Sequence, residues 1–338
     1  MKKIIGLTCF LVALLFVVAG CAQQVTEEQG ATLTAEEQAK GVKLTDDGVK
    51  YTIHWSKFIN VNWEYIEEPE DLFELKDVQP AINSPQFESV AEADTWLADE
   101  DQVQIFTHNG VERAYPIKIQ NFHGAINDVV GGTPVLLSWC PLCAAGIVYE
   151  RTVAGQPLTF FYSGLVYNSN TVFFDEETLS IWPQVGGTAV YGEHTGAVLN
   201  VLESDVVDWG TWKTAHPDSE VLSRNTGFDY DYTVDNFEGY HAMPTLFFPI
   251  ENADKRAGNK VVVFGVTVNG VKKAYLESDV DELGTIEDTV GGVSIEVTKD
   301  AEGQVRVEDV ATGEQITKKR TYWFTWIAEF PESDLYGS

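Results

Sequence analysis

Past residue 50 the chain runs in short apolar stretches broken by turn residues. Residues 103–107, then His108-Asn109-Gly110, then 111–117 read as strand, tight turn, strand, because Asn-Gly supplies the positive φ values a two-residue hairpin needs. Residues 126–130 and 134–139 flank Gly131-Gly132 in the same way, and 146–151 and 158–162 flank a further turn. Helical periodicity is weak, with short candidates at 90–97 and 208–215. The pattern predicts a mainly β (β-rich α+β) fold with few short helices, occupying 51–338 as one domain. The N-terminus differs. Lys2 and Lys3 precede an apolar run over 4–18 and a small-residue Val18-Ala19-Gly20-Cys21 ending. The run is short for a span and reads as a signal peptide over 1–21. The ending resembles a lipobox, which makes Cys21 a diacylated N-terminus and the protein an extracytoplasmic membrane-anchored one. Ala22 after the cysteine favours an outer membrane where there are two. Residues 22–50 lack periodicity until Tyr51 and read as a flexible acidic tether.

Self-comparison finds a repeat. At a shift of 160 positions, 11 of the 33 residues from 108 to 140 are identical without a gap. Asn109-Gly110-Val111 falls on Asn269-Gly270-Val271, and Gly131-Gly132 on Gly291-Gly292. Turn chemistry explains each pair but not their equal spacing, so a duplicated β unit is expected, at about 103–180 and 263–338. The first copy carries His108, His123, Cys140 and Cys143; the second has Val268, Leu283, Asp300 and Gly303 there. Potential soft ligands thus occur once, on a scaffold present twice.

Composition narrows the function. Hydrophobic residues make up 44% of the 338, enough for a core. Lys and Arg number 22 against 52 Asp and Glu, a net charge of −30, which repels phosphate backbones and argues against a nucleic-acid partner. Four cysteines are too few for a disulfide-built fold. There is no Walker loop, GxGxxG, HExxH or GxSxG.

Cys140-Pro141-Leu142-Cys143 is the strongest chemical signal, with three readings. As a knuckle between strands it holds a soft metal (copper, zinc or iron), completed by His123, because no second cysteine pair remains once Cys9 and Cys21 are set aside. As a redox pair it exchanges disulfides, although the following AAGIVYER reads as a strand and so offers no helix N-terminus. As a closed loop it only braces an exported ligand-binding or interaction protein. Asp128 is a candidate to orient His123, although its counterpart Asp288 survives in the copy without cysteines and so suits a scaffold role. Arg151, Ser163, Asn168, Trp182 and Gln184 are candidate pocket residues, with a small ligand or a partner protein unidentified. Trp209/Trp212 and Trp323/Trp326 recur at i, i+3, a core spacing.

VERAYPI (111–117), His123 with Asn127-Asp128, WCPLC (139–143), SGLVYNS (163–169), DEETLSIWPQ (175–184) and YWFTWIAEFP (322–331), in this order, resemble the uncharacterised exported family known as domain of unknown function 3179. The resemblance implies one folded unit from about 81 to 336 and no established activity. Two departures stand out: Ala144 where members often carry glycine, and Gly124-Ala125 where an acidic residue is common.

Overall fold

The computed structural model describes residues 32–60 and 79–338. The expected leader, Cys21 and the first part of the tether lie outside the described residues. The compact unit Leu33–Ser338 is built mainly of strands, arranged as several small sheets joined by short helices. Among the described residues no helix is long and apolar enough to cross a membrane.

The expected duplication is present in three dimensions. The first copy pairs Gln102–His108 with Val111–Pro116, passes through the helix Ile117–His123, pairs Ala125–Val130 with Thr133–Cys140, and ends on Ala145–Glu150. The second repeats this with Val262–Val268, Val271–Leu276, Glu277–Leu283, Thr285–Val290, Val293–Lys299 and Val305–Asp309. The same positions fill both cores: Tyr115, Ile126, Val130 and Val135 in one, Tyr275, Ile286, Val290 and Ile295 in the other.

The equal spacing of the turns now has a physical cause. Asn109 and Asn269 sit at positive φ (50° and 47°), as the hairpin turn requires. Each then uses its side-chain amide to cap the other hairpin: Asn109 Nδ2 donates to Gly131 O at 3.0 Å, and Asn269 Nδ2 to Gly291 O at 3.0 Å. A Cβ on Gly131 would lie 2.6 Å from His108 O, and one on Gly291 would lie 2.2 Å from Val268 O. The two turns of each copy pack directly on one another, so Asn-Gly and Gly-Gly must keep their separation.

Each copy has a second segment that the sequence reading did not recognise as part of the repeat. Asp205–Asp208 lies antiparallel to Gln102–His108, leads into the helix Trp209–Ala215, and returns as Glu220–Leu222, parallel to Val111–Pro116. Lys318–Tyr322, Trp323–Glu329 and Asp334–Leu335 do the same on the second copy. The tryptophan pairs are this segment's signature. Trp212 Nε1 donates to Ser219 Oγ at 3.0 Å and Trp326 Nε1 to Ser333 Oγ at 2.7 Å. These positions differ by 114 in the sequence, not 160, so the first copy carries 46 more residues between its segments. Part of that insertion forms a sheet of Phe160–Tyr167, Asn170–Asp175 and Ile181–Pro183, with Ile59–Asn60 at its other edge.

The tether expected through Lys50 is corrected over its described part. Thr34 and Glu37 form a capping box that starts the helix Ala35–Ala39. Lys43–Leu44 then pairs with Lys50–Tyr51, and Gly192 N donates to Lys50 O at 2.9 Å. Capping side chains and backbone pairing order this stretch without the apolar periodicity that the sequence lacks.

Candidate functional site

Cys140 ends the strand Thr133–Cys140, and Cys143 N donates to Cys140 O at 3.1 Å in a tight turn. The two cysteines form a disulfide with Cα atoms 5.3 Å apart, and both are fully buried. A strand, Ala145–Glu150, follows at once, so the cysteine loop does not lead into a helix. Ala144 takes a φ of 47°, the conformation that glycine adopts without strain. Behind the disulfide the hairpin Phe160–Tyr167/Asn170–Asp175 turns through Asn168 and Ser169, at φ 51° and 60°. Ser169 O and Asn170 Oδ1 lie 3.5 and 3.6 Å from Cys143 Sγ; a disulfide sulfur has no proton to donate, so these are packing contacts. Ser169 Oγ and Asn170 Nδ2 are buried without partners. Three non-glycine residues in the left-handed region thus surround one disulfide.

The metal set expected from the sequence is not assembled. The sulfurs are bonded to each other, and His123 is buried with both nitrogens engaged. Its Nδ1 lies 2.8 Å from Pro80 O, which can only accept, so Nδ1 carries the proton and Nε2 accepts from the Tyr232 hydroxyl at 2.6 Å. Burial holds the imidazole below its usual pKa, outweighing the bond to Pro80 O. Among the described residues no group of three or more His, Cys, Asp or Glu side chains is placed to hold a metal. Spacing could not foresee this, because the partners of His123 come from residues 80 and 232.

Nor do the other candidates converge on one pocket. Asp128 Oδ2 binds Arg113 and the Tyr115 hydroxyl at 2.7 Å each. Asp288 binds Lys273 and Tyr275 at 2.6 and 2.8 Å, so this carboxylate is scaffold in both copies. Arg151 donates to Leu158 O at 2.6 Å. Ser163 Oγ donates to Val172 O, and Trp182 Nε1 to Asp175. Asn168 Oδ1 receives Glu251 N. Gln184 Nε2 bridges Ala145 O and Ser138 Oγ at 2.9 and 3.1 Å, bracing the strand beyond the disulfide.

The cavity lies on the other side of the cysteine loop, where the copies meet. Tyr322 N donates to Cys143 O at 2.8 Å, Thr321 Oγ1 to the same oxygen at 3.3 Å, and Arg320 to Ala144 O at 3.2 Å. The second copy therefore grips the backbone of the first copy's disulfide loop. Beside this grip is a cleft of about 390 Å³, walled by Trp139, Asn121 and Ile117 from the first copy and by Arg320, Tyr322 and Val262 from the second. Asp235 and His241, from the segment between the copies, also line it. Trp139 Nε1 donates to Asn121 Oδ1 at 2.7 Å, and Asn121 Nδ2 to Asp235 Oδ1 at 3.2 Å. His241 Nδ1 lies 2.9 Å from the Tyr322 hydroxyl, leaving Nε2 without a hydrogen-bonding side chain among the described residues. Burial lowers the His241 pKa, with Lys260 acting the same way and Asp235 opposing, and burial raises that of Tyr322. Both groups are neutral near pH 7, one able to accept a proton and the other to donate a hydrogen bond.

A second cleft, of about 250 Å³, stands at the equivalent place on the other side. Glu277, Asp281, Lys299 and Asp208 occupy there the positions of Ile117, Asn121, Trp139 and Tyr322. Lys299 bonds Asp281 at 2.7 Å, so charged side chains satisfy one another where the first cleft has aromatic and amide groups. The walls of the first cleft are not legible as a site in the sequence, although Trp139 and Tyr322 stand in its motifs. One signal was available. Lys318-Lys319-Arg320, just before the aromatic motif at 322–331, is a run of three cations in a chain of 52 acids. Lys318 is buried between Glu203 and Asp205.

No curated protein and no solved structure matches the chain. A family model does, over residues 76–333, which take in the disulfide loop, the whole lining of the cleft and nearly all of both copies. The chain belongs to the family described as protein of unknown function (DUF3179).

Proposed function

We propose that this is an extracytoplasmic, lipid-anchored binding protein that holds a small polar molecule in the cleft between its two β copies, with the Cys140–Cys143 disulfide bracing the cleft wall. The observation that carries the reading is the contrast between the clefts. The frame is duplicated, but only the first copy's cleft presents Trp139, Asn121 and Tyr322 where the second holds a self-satisfied ion pair. A concave site with an aromatic wall and a few convergent polar groups is the usual form of a small-molecule site. Burial of both sulfurs favours bracing over disulfide exchange, which needs a sulfur within reach of an attacking thiolate. The leader with Lys2, Lys3 and Cys21 supports export and anchoring at a membrane surface. Metal handling draws no support from the placement of His123.

The test is native mass spectrometry of the full protein, purified without a tag in mild detergent and equilibrated with a library of amino acids, sugars, carboxylic acids and nucleosides. The expected result is retention of one chemical class by the wild type and its loss in Val262→Trp, which fills the cleft without removing a hydrogen bond. Retention of nothing, or equal retention by both proteins, ends the reading. Acylation is tested separately, by the mass of the N-terminal peptide; an unmodified Cys21 removes the anchor.

A further inference from the structure

The charges around the first cleft are unevenly satisfied. Arg320 is nine-tenths buried. One of its donors reaches Ala144 O at 3.2 Å and another meets Glu277 at 3.5 Å, while Nε is buried with no partner. A buried guanidinium with an unfilled donor costs free energy unless an acceptor arrives, and its planar fork matches a carboxylate. Carboxylates also line the cleft. Asp235 uses Oδ1 for Asn121 and for Phe237 N, leaving Oδ2 without a hydrogen bond among the described residues, and both Asp235 and Glu100 are exposed at the edge. Lys118, the other cation there, is neutralised by Asp101 at 2.6 Å.

This arrangement discriminates among ligand classes. A simple anion meets Arg320 but also Asp235 and Glu100, on a protein of net charge −30. A simple cation suits those carboxylates but faces the guanidinium. An uncharged sugar can offer hydroxyls, yet brings no charge to Asp235 or to Arg320, whose one ion pair, with Glu277, is long at 3.5 Å. A molecule carrying both signs satisfies all of them, and Ile117, Val262 and Trp139 offer surface to an apolar or aromatic substituent.

Resting on the binding reading above, we infer that the ligand is a zwitterion of the α-amino-acid class, its carboxylate received by Arg320, its ammonium by Asp235, and its side chain by the Trp139 wall. His241 Nε2 and the Tyr322 hydroxyl remain as neutral groups for a polar side chain.

The experiment is calorimetric titration of the full protein with L-α-amino acids, with their N-acetyl derivatives and with their carboxamides. Each blocking group removes one charge. The expected result is binding of at least one free amino acid, weakened tenfold or more by either block, which corresponds to about 1.4 kcal/mol per charge. Arg320→Gln should abolish the preference for the free acid over its carboxamide, and Asp235→Asn the preference for the free amine over its N-acetyl form. Should Arg320→Gln not fold, the derivative series on the wild type still decides. Derivatives that bind as tightly as the free amino acids overturn the inference. So does a non-zwitterionic molecule retained from the library and lost in Val262→Trp, which leaves the cleft reading standing. If no small molecule is retained, both fall together.

Discussion

The first copy's linking helix, Ile117–His123, buries five of its seven residues, whereas the second copy's, Glu277–Leu283, buries only Val280. Otherwise the copies share turns, core positions and the tyrosine–aspartate tie. The difference follows from what covers them. Residues 226–232 lay an aromatic cluster on Phe122 and His123, with Tyr230 and Phe122 ring centres 5.2 Å apart. The acidic helix of the second copy carries Glu277, Asp279, Asp281 and Glu282 instead. Duplication thus separates what the frame requires, which both copies keep, from what only one copy needs. The disulfide, the aromatic cover and the cleft's amide and aromatic walls all fall in the second category.

If that separation is right, the glycine turns of the frame should be equally fragile in both copies. Gly131→Ala and Gly291→Ala each push a Cβ into backbone at positive φ, and each should cost about 3 kcal/mol or more by urea denaturation. Gly132→Ala and Gly292→Ala also sit at positive φ but meet nothing within 4 Å, and should cost only about 1 kcal/mol. A large cost in one copy alone would break the equivalence. Asp128→Asn against Asp288→Asn grades the same tie. Asp128 faces a guanidinium and a phenol with little exposure, so its loss should cost about 3 kcal/mol; Asp288, facing a lysine, should cost about 1 kcal/mol. Burial pushes the Asp288 pKa up, but Lys273 and Tyr275 pull it lower still, so its contribution is present above the unfolded carboxylate range and fades as pH falls through the depressed value. Asp288→Asn should remove that acid-limb dependence.

The β class and the duplicated unit were legible because turns and strand alternation are local and recur at a fixed shift. The second segment of each copy escaped because an insertion changes its shift, although the W-x-T-W…P-x-S pattern at 209–219 and 323–333 stands in the chain. The disulfide was legible only as one of three readings, since C-P-L-C fixes proximity and not oxidation state. The family's frequent glycine after the second cysteine had a conformational meaning, which the φ of Ala144 displays. The partners that His123 has in the fold, Pro80 and Tyr232, were not legible because they lie 43 and 109 residues away. The cleft needs the meeting of two copies and an intervening segment, and no periodicity reports a meeting.

The disulfide itself sharpens the contrast between the copies. Replacing both Cys140 and Cys143 by Ala releases a loop of four residues, and chain entropy puts the loss at about 2 kcal/mol. The second copy makes the equivalent turn, at Asp300–Gly303, with no covalent brace. The turn should therefore survive in the variant, with ligand retention weakened by less than the stability loss. Complete loss of retention in a folded double variant would place the sulfurs in the site's chemistry, not in its support.

The smallest effect concerns the joint between the copies. His216 stacks on Trp212 with ring centres 3.7 Å apart, and its nitrogens meet Glu112 of the first copy at 3.0 Å and Glu302 of the second at 3.1 Å. Burial disfavours its charge, but the bonds to Glu302 and Glu112 outweigh that and raise its pKa. A histidine raised on folding contributes its stability fully below the unfolded value, near 6.5, and loses it as pH climbs through the folded value. His216→Gln keeps the size and one donor but not the charge. Compared with wild type at each pH, it should cost up to about 1 kcal/mol more at pH 5.5 than at pH 9, where only the lost stacking on Trp212 remains. Because the comparison is between two proteins that share every other carboxylate, the general acid response of the chain cancels. A difference that is flat across this range would mean that His216 is neutral in the fold, and that the two copies are joined there by packing on Trp212 alone.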